Sequence, residues 1–373
     1  MTSTLTDTQR AISARIVMKL INLGIQAHFI EPVIEGPVVS VFRFKPQGAT
    51  RVSQIEALSS DFAVGLGVED VLVKRMPGEE SVGIFVPNAE RRWIKWRDIV
   101  GELTVNKSNS YIPLLLGVDN LGHTVVEDLT LYPHLLIAGS TGSGKSTLLN
   151  SILASLVYSC SSNEVQLVLS DTKGVEFGHF IGAPHLLYDP AVSVYQTLEQ
   201  MDWLIEELEK RLKIFSKRGH RNILEYNQNC TNTQDRLAYI VLVIDELADL
   251  LGDNRRADKE RGPSVGRIAS SKLSVLAEKA RASGIHIIAS TQRPSVKLVS
   301  GDIKANFPAR LCFRLPTEAD SRTVLGTGGA EHLLSRGDMM FVSPNAPLIR
   351  RIHAPLASIE DIKAAIEVSV RKG

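Results

Sequence analysis

The chain has 373 residues, 44 % of them hydrophobic, and a formal net charge of +1. That length buries a large core and predicts two or three domains; the near-neutral balance means that a polyanionic partner is met by local patches rather than by overall charge. Three separated cysteines, Cys160, Cys230 and Cys312, with no CxxC pair, no apolar run near the roughly 20 residues of a membrane span, and no signal peptide lead to the expectation of a soluble, cytoplasmic protein without a zinc site.

Residues 1–105 read as a small α+β unit. Thr6 and Gln9 form a capping box that opens a helix to about Leu23, with Ile12, Ile16, Leu20 and Leu23 on one face and Gly24 as its stop. Strands are expected at 39–44, 71–74 and 82–86, and a helix from Ser53 to Gly65. The polar run 106–110 marks the boundary to a second unit, 106–373, in which strands alternate with helices as in an α/β sheet. Its expected strands are 134–138, 165–170, 239–244, 285–290, 310–315 and 338–342; its long helix spans about 193–217, and a short terminal helix 362–372.

Two motifs carry chemistry. The buried run 134–138 leads into Gly139-Ser140-Thr141-Gly142-Ser143-Gly144-Lys145-Ser146, followed by a helix from Ser146 to Ser159. Strand, glycine loop and helix make the G-x-x-x-x-G-K-[ST] phosphate cradle, in which main-chain N–H groups surround an anion. Lys145 is expected to add a point charge and the Ser146 hydroxyl to bind Mg²⁺; the expected nucleotide-binding residues are 139–147, with Thr147 last. The six-residue apolar strand 239–244 then ends in Asp245-Glu246, where one carboxylate is expected to serve the metal and the next to activate water. The segment 252–272 reads as a polar loop with six Lys/Arg against three Asp/Glu, a solvated surface on composition alone.

The order of further motifs resembles the FtsK/SpoIIIE family of DNA translocases. His134–Ser146, Val243–Leu250, Glu278–His286, Thr291–Val296 (TQRPSV), Ile303–Asn306, Asp320–Thr323 and Gly328–Met339 follow in family order, and Val86–Arg91 is similar to the small domain that precedes the motor. The resemblance implies a RecA-like P-loop NTPase core with a mostly parallel sheet. It implies a hexameric ring that hydrolyses ATP with Mg²⁺ and pumps double-stranded DNA.

Carried over, Lys145, Ser146 and Asp245 serve phosphates and metal, Glu246 is the base, and Gln292 senses the γ-phosphate. Arg281 acts across a subunit boundary, and Arg293, Lys304 and Arg322 touch the DNA backbone. The chain departs from the family at Asp171-Thr172-Lys173, where the family has Asp-Pro-Lys, and at Glu318, where it often has Lys. The family's membrane anchor and C-terminal winged-helix domain have no counterpart in these residues, which leads to the expectation of a motor not fixed to a membrane. A protein-secretion ATPase and a DNA-binding regulatory ATPase that does not translocate are the alternatives.

Overall fold

A computed structural model describes residues 5–76, 78–90, 92–103, 110–120, 122–252, 264–346 and 349–372. The first helix, α1 (Asp7–Asn22), forms as expected: Thr6 accepts from the Gln9 N–H while the Gln9 side chain accepts from the Thr6 N–H. Four antiparallel strands follow in the order β1-β2-β4-β3: β1 (Ala27–Glu35), β2 (Val39–Pro46), β3 (Leu72–Arg75) and β4 (Val82–Pro87). β1 escapes the sequence pattern because it is an edge strand whose side chains are mostly partly exposed, with Pro32 inside a register shift between Ile30 and Ile34. The single helix expected at 53–65 is two, α2 (Val52–Glu56) and α3 (Ser59–Leu66).

Alternation along these strands gives the small sheet two buried faces. Phe42, Phe44, Val82, Ile84 and Val86 pack with Ile16, Leu20 and Phe62 of the helices. Val39, Val41, Leu72 and Phe85 point the other way, into a cluster with Ala138, Cys312, Leu315 and Met340 of the larger unit. Polar contacts tie the same seam: Arg314 pairs with Glu69 at 2.9 Å, and His332 Nδ1 meets Asp70 at 2.9 Å.

The larger sheet has nine strands in the order β6-β5-β13-β12-β11-β7-β10-β9-β8. Five are parallel: β7 (His134–Ala138), β8 (Val165–Ser170), β9 (Tyr239–Ile244), β10 (Ile285–Thr291) and β11 (Ala309–Phe313). The remaining four, β5 (Pro113–Asp119), β6 (Thr124–Asp128), β12 (Asp338–Val342) and β13 (Arg350–His353), join antiparallel. The sheet is therefore mixed: the expected parallel order holds from β8 to β11, β12 and β5 run in the opposite sense, and β13 and β6 return to the sense of the parallel strands. Their sequences hide this, because β6 and β13 are only five and four residues long and Gly117 interrupts β5.

Helices cover both faces. Beneath one lie α5 (Lys145–Ser159), α7 (Ile223–Gln228) and α12 (Ile359–Lys372), clustered with Leu135, Ile137, Val241 and Val243. On the other, α6 (Val194–Arg218), α8 (Leu247–Leu251) and α9 (Val265–Ser283) pack on Leu136, Ile240, Leu242 and Ile244. This alternation between two apolar cores explains why the strands read as unbroken hydrophobic runs. The short α4 (Trp96–Ile99), with Val100 and Leu103 behind it, is buried in the first of these cores, and Trp96 Nε1 donates to Ser155 Oγ at 2.9 Å. This stretch packs with the large sheet, although the pattern grouped it with residues 1–105. The boundary run itself lies outside the described residues, apart from Ser110.

The expected loop 252–272 is corrected in its second part. Residues 253–263 lie outside the described residues, but from Val265 the chain is helical, since Ala269, Leu273 and Leu276 recur at helical spacing and pack in the core beside α6. Lys272, counted as a loop cation, pairs with Asp202 of α6.

The His332–Asp70 contact makes the seam between the units sensitive to pH. Hydrogen bonding to Asp70 holds His332 above its ordinary 6.5 against the effect of burial, with the Asp70 and Glu331 charges adding and Lys74 opposing. A raised value in the folded state means the contribution is complete below the unfolded value and is lost as pH rises through the folded one. Urea midpoints of the wild type and Asp70→Asn should therefore differ at about pH 5.5 and converge by about pH 8.5, with a difference under about 1 kcal/mol because the pair is half-exposed. A difference independent of pH would show that the contact carries no charge.

Candidate nucleotide site

The phosphate loop connects β7 to α5 at the C-terminal edge of the parallel strands. Gly144 has φ +115°, and a Cβ there would stand 2.7 Å from the Gly337 nitrogen, so backbone approaches backbone where only glycine fits. The loop is held from three sides. Gly139 N–H donates to the Thr291 carbonyl at 3.2 Å, Ser140 N–H to the Arg314 carbonyl at 3.0 Å, and Gly337 N–H to the Ser143 carbonyl at 2.8 Å. Next to Gly337, Asp338 and Arg351 form a buried bidentate pair at 2.9 and 2.5 Å. Burial alone would raise Asp338, but Arg351 and His353 hold its carboxyl below the usual range.

Parallel pairing brings the other candidates to this edge. β10 aligns Thr291 with Ala138 of β7 and Ala289 with Ile244 of β9, so Asp245, Glu246 and Gln292 all emerge beside the loop. Lys145 is buried, its Nζ 3.5 Å from Ser290 Oγ, and Ser290 Oγ donates in turn to the Asp245 carbonyl. Burial pushes the Asp245 carboxyl up to about 6 against the pull of Lys145, with Glu176, Asp171 and Glu246 adding to the rise.

Glu246 caps α8 by accepting from Ala248 N–H at 3.2 Å, and its Oε2 accepts from Gln292 N–H at 3.0 Å. Gln292 Oε1 accepts from Thr141 Oγ1 at 2.8 Å, linking the base candidate, the sensor candidate and the phosphate loop. Asp171 takes four N–H donors from Lys173, Gly174, Glu176 and Phe177, which folds the divergent 171–180 segment so that Glu176 borders the cleft.

Whether these residues fit Mg²⁺ can be tested on the donor set. Among the described residues no cluster of three His, Cys, Asp or Glu could hold a metal by itself. Asp245 Oδ1, however, is buried without a hydrogen-bond partner just beyond the end of β9. One carboxylate and one hydroxyl, with phosphate oxygens and water completing the shell, is the usual arrangement for this ion, so the residues fit.

Arg281 stands elsewhere. It is exposed in the last turn of α9, and Gly284, three residues on, accepts from Ile240 N–H at the start of β9. It therefore lies at the N-terminal edge of the sheet, about 20 Å of strand away from its own phosphate loop. Its charge acts on that edge: burial pushes His134, which opens β7, down to about 3, with His286 and Arg281 adding to the effect.

The three expected DNA contacts come from separate places. Arg293 is exposed just beyond Gln292, while Lys304 sits on α10 (Gly301–Asn306), which leads into the start of β11. Arg322 is exposed on α11 (Glu318–Leu325), paired with Glu318 of its own helix at 2.6 and 3.0 Å. The Glu318 departure thus has a direct consequence: it engages one of the three cations.

The cleft also has walls that motif reading missed. Trp93 and Ile94, between the two sheets, and Arg336, Ala354 and Leu356, from the antiparallel half, line it together with the loop. Only the position of Arg336 inside the run Gly328–Met339 gave a sequence signal, and its role there depends on folding.

Comparison with known proteins identifies the family and agrees with the fold. The sequence pattern of the FtsK/SpoIIIE family matches residues 97–296, and that of the FtsK alpha domain residues 2–88. A DNA translocase FtsK from Pseudomonas aeruginosa is 32 % identical over 391 residues, covering 98 % of this chain and 47 % of its own length. One from Helicobacter pylori is 38 % identical over 334 residues, covering 89 % of this chain and 38 % of its own. The chain thus spans about half or less of the length of these relatives.

Among solved structures, the pCW3 conjugation coupling protein TcpA in its monomer form with ATPgS superposes with a TM-score of 0.68 at 23 % identity, covering 97 % of this chain and 100 % of that one. The cytoplasmic domain of the Thermomonospora curvata Type VII secretion ATPase EccC gives 0.57 at 20 % identity, over 70 % of this chain and 31 % of that one. At these identities the likeness is one of fold, the P-loop ATPase fold. No helix among the described residues is long and apolar enough to cross a membrane. With motifs, fold and family pattern in agreement over more than half its length, the chain belongs to the FtsK/SpoIIIE family.

Proposed function

We propose that this chain is the ATP-hydrolysing motor of a double-stranded DNA translocase, working as a ring of subunits, six by family likeness. The observation that carries the reading is the joined group Lys145–Ser290–Asp245 and Glu246–Gln292–Thr141 at one strand edge. The N–H groups of residues 139–147 cradle the phosphates and Lys145 offsets their charge. Ser146 and Asp245 hold Mg²⁺, which when bound neutralises charge on the phosphate oxygens. Glu246, oriented by the Ala248 and Gln292 N–H groups, takes the proton of the attacking water. Gln292 reports the γ-phosphate to the loop that follows it and carries Arg293.

Arg281 serves a neighbouring subunit. Its place at the far edge of its own sheet supports this, since a ring that sets one sheet's N-terminal edge against the next one's phosphate loop gives it a site to act on. Arg293 and Lys304 contact DNA phosphates, which suits a motor that must pass any sequence. Arg322 contributes less while Glu318 holds it. DNA-stimulated turnover tests the whole reading: an ATPase rate indifferent to linear duplex DNA would favour a protein-secretion role.

Lys145→Ala should abolish hydrolysis. Glu246→Gln should bind nucleotide as the wild type does, with turnover lowered roughly a hundredfold or more. Steady-state hydrolysis beside equilibrium nucleotide binding checks both, and near-normal turnover in Glu246→Gln would remove it from the role of base.

Arg281→Ala should also suppress hydrolysis, yet recover part of it when mixed with Lys145→Ala subunits, because the two lesions fall on opposite sides of an interface. An assay across mixing ratios decides this; no recovery in rings that still assemble would place Arg281 outside the trans site.

Arg293→Ala and Lys304→Ala should uncouple turnover from duplex DNA more than they lower the basal rate. Removing one cation that neutralises a phosphate should flatten the plot of log affinity against log salt by about one unit, and Arg322→Ala should flatten it by less. Binding titrations at several salt concentrations measure the slope; unchanged slopes would exclude these residues from the DNA path.

A further inference from the structure

The cleft extends beyond the phosphate loop to an apolar end that the phosphate chemistry leaves unused. Its volume is about 350 Å³, within the range of a pocket for a nucleotide-sized molecule. Trp93, Ile94, Ala354 and Leu356 supply this end, with Arg336 at its border. Trp93 is 54 % exposed, unusual for an indole, while Trp96 three residues later is buried.

The backbone that presents Trp93 is pinned on both sides. Arg92 N–H donates to the Pro37 carbonyl of the small unit at 2.9 Å. On the motor side Leu356 N–H donates to the Ile94 carbonyl and Trp96 N–H to the Leu356 carbonyl, each at 2.9 Å. Arg336, at φ +69°, is the one non-glycine residue with positive φ among the described residues. Gly337 beside it is bonded to the Ser143 carbonyl, so this conformation is held against the phosphate loop. Backbone strain of this kind collects where a ligand is gripped.

We propose that the base of the bound nucleotide stacks on Trp93, with Ile94, Ala354 and Leu356 covering the rest of its face, and that this shelf selects purine over pyrimidine triphosphates. The proposal rests on the reading of the phosphate loop as a triphosphate site and adds where the nucleoside lies. A triphosphate seated on residues 139–147 carries its nucleoside into the same cleft, and the apolar wall is what that cleft offers an aromatic ring. Stacking depends on ring area, so a two-ring base gains more than a one-ring base. Trp93, Ile94, Ala354 and Leu356 offer no carboxylate or carboxamide to read a Watson–Crick edge, and the two that line the cleft, Gln292 and Glu176, belong with the phosphate loop and Asp245, so adenine and guanine are separated only weakly. Because Arg92 is bonded to the small unit, stacking also loads the strap that joins the units.

Equilibrium calorimetry on the full chain with Mg²⁺ tests this, using the β,γ-imido analogues of ATP, GTP and UTP beside inorganic tripolyphosphate. The purine analogues should bind within a few-fold of each other and the UTP analogue roughly tenfold more weakly, the ratio that about 1.4 kcal/mol produces. Trp93→Ala should weaken both purine analogues roughly tenfold and leave tripolyphosphate unchanged, and Trp93→Phe should recover most of the loss. Trp93→Phe should also remove the change in tryptophan fluorescence that the ATP analogue causes. Unchanged purine affinity in Trp93→Ala would overturn the shelf while leaving the phosphate site in place. Failure of the wild type to bind either tripolyphosphate or any analogue would instead remove the phosphate site, and the shelf with it.

Discussion

Parallel pairing of β7, β10 and β9 in one register is the constraint from which the site follows. Thr291 stands opposite Ala138 and Ala289 opposite Ile244, so three chain segments far apart in sequence turn away from the sheet at the same level. Each then does something different: β7 opens into glycines, β9 into two carboxylates, β10 into Gln292. Slipping β10 by one residue would exchange its faces between two apolar cores and lift Gln292 away from Glu246. The bonds of His286 to the Pro133 carbonyl and of Ser290 to the Asp245 carbonyl, which a slip would break, oppose it. Core packing and site geometry are thus set by the same pairing.

Main-chain groups from the end of β11 and from the antiparallel strands beyond it hold the phosphate loop in place. Gly337, preceding β12, and Arg314, following β11, each bond to the loop through main-chain groups. The same two neighbourhoods touch the small unit: the Arg314 guanidinium pairs with Glu69, and His332 meets Asp70. Ala138, the last residue before the loop, lies in the apolar cluster shared with Val39 and Val41. Small-unit and loop positions are therefore coupled through contacts one residue deep, and the strap at Trp93 adds a fourth connection beside the cleft.

Charge is distributed unevenly between the nucleotide edge and the opposite edge of the parallel strands. The nucleotide edge gathers Asp171, Glu176, Asp245 and Glu246 round a single buried Lys145, and burial pushes Asp245 up to about 6. Under the proposed function, Mg²⁺ and an arginine from a neighbouring subunit would add positive charge to this edge. Arg281 is at the other edge of the sheet, pressing its charge on His134 and His286 instead.

Much of this was legible in the sequence. The phosphate loop could be read because its glycines, Lys145 and Ser146 act through local backbone geometry, and Asp245-Glu246 because six apolar residues announced a buried strand. The capping box at Thr6 and the long helix α6 were likewise local matters, as were the five parallel strands. What only the tertiary structure decided depends on residues distant in the chain. β1, β5, β6 and β13 are short, interrupted or exposed at an edge, and acquire their identity from the partner strand rather than from periodicity. The helix from Val265 was masked by its charged outer face, and the pairing of Arg322 with Glu318 is a choice of rotamer among exposed charges. Trp93, Arg336 and Leu356 belong to no common motif. They meet in one cleft because a strand edge, a strained turn and a strap between two sheets converge there, and hydrophobic patterning along any one of them carries no information about the others.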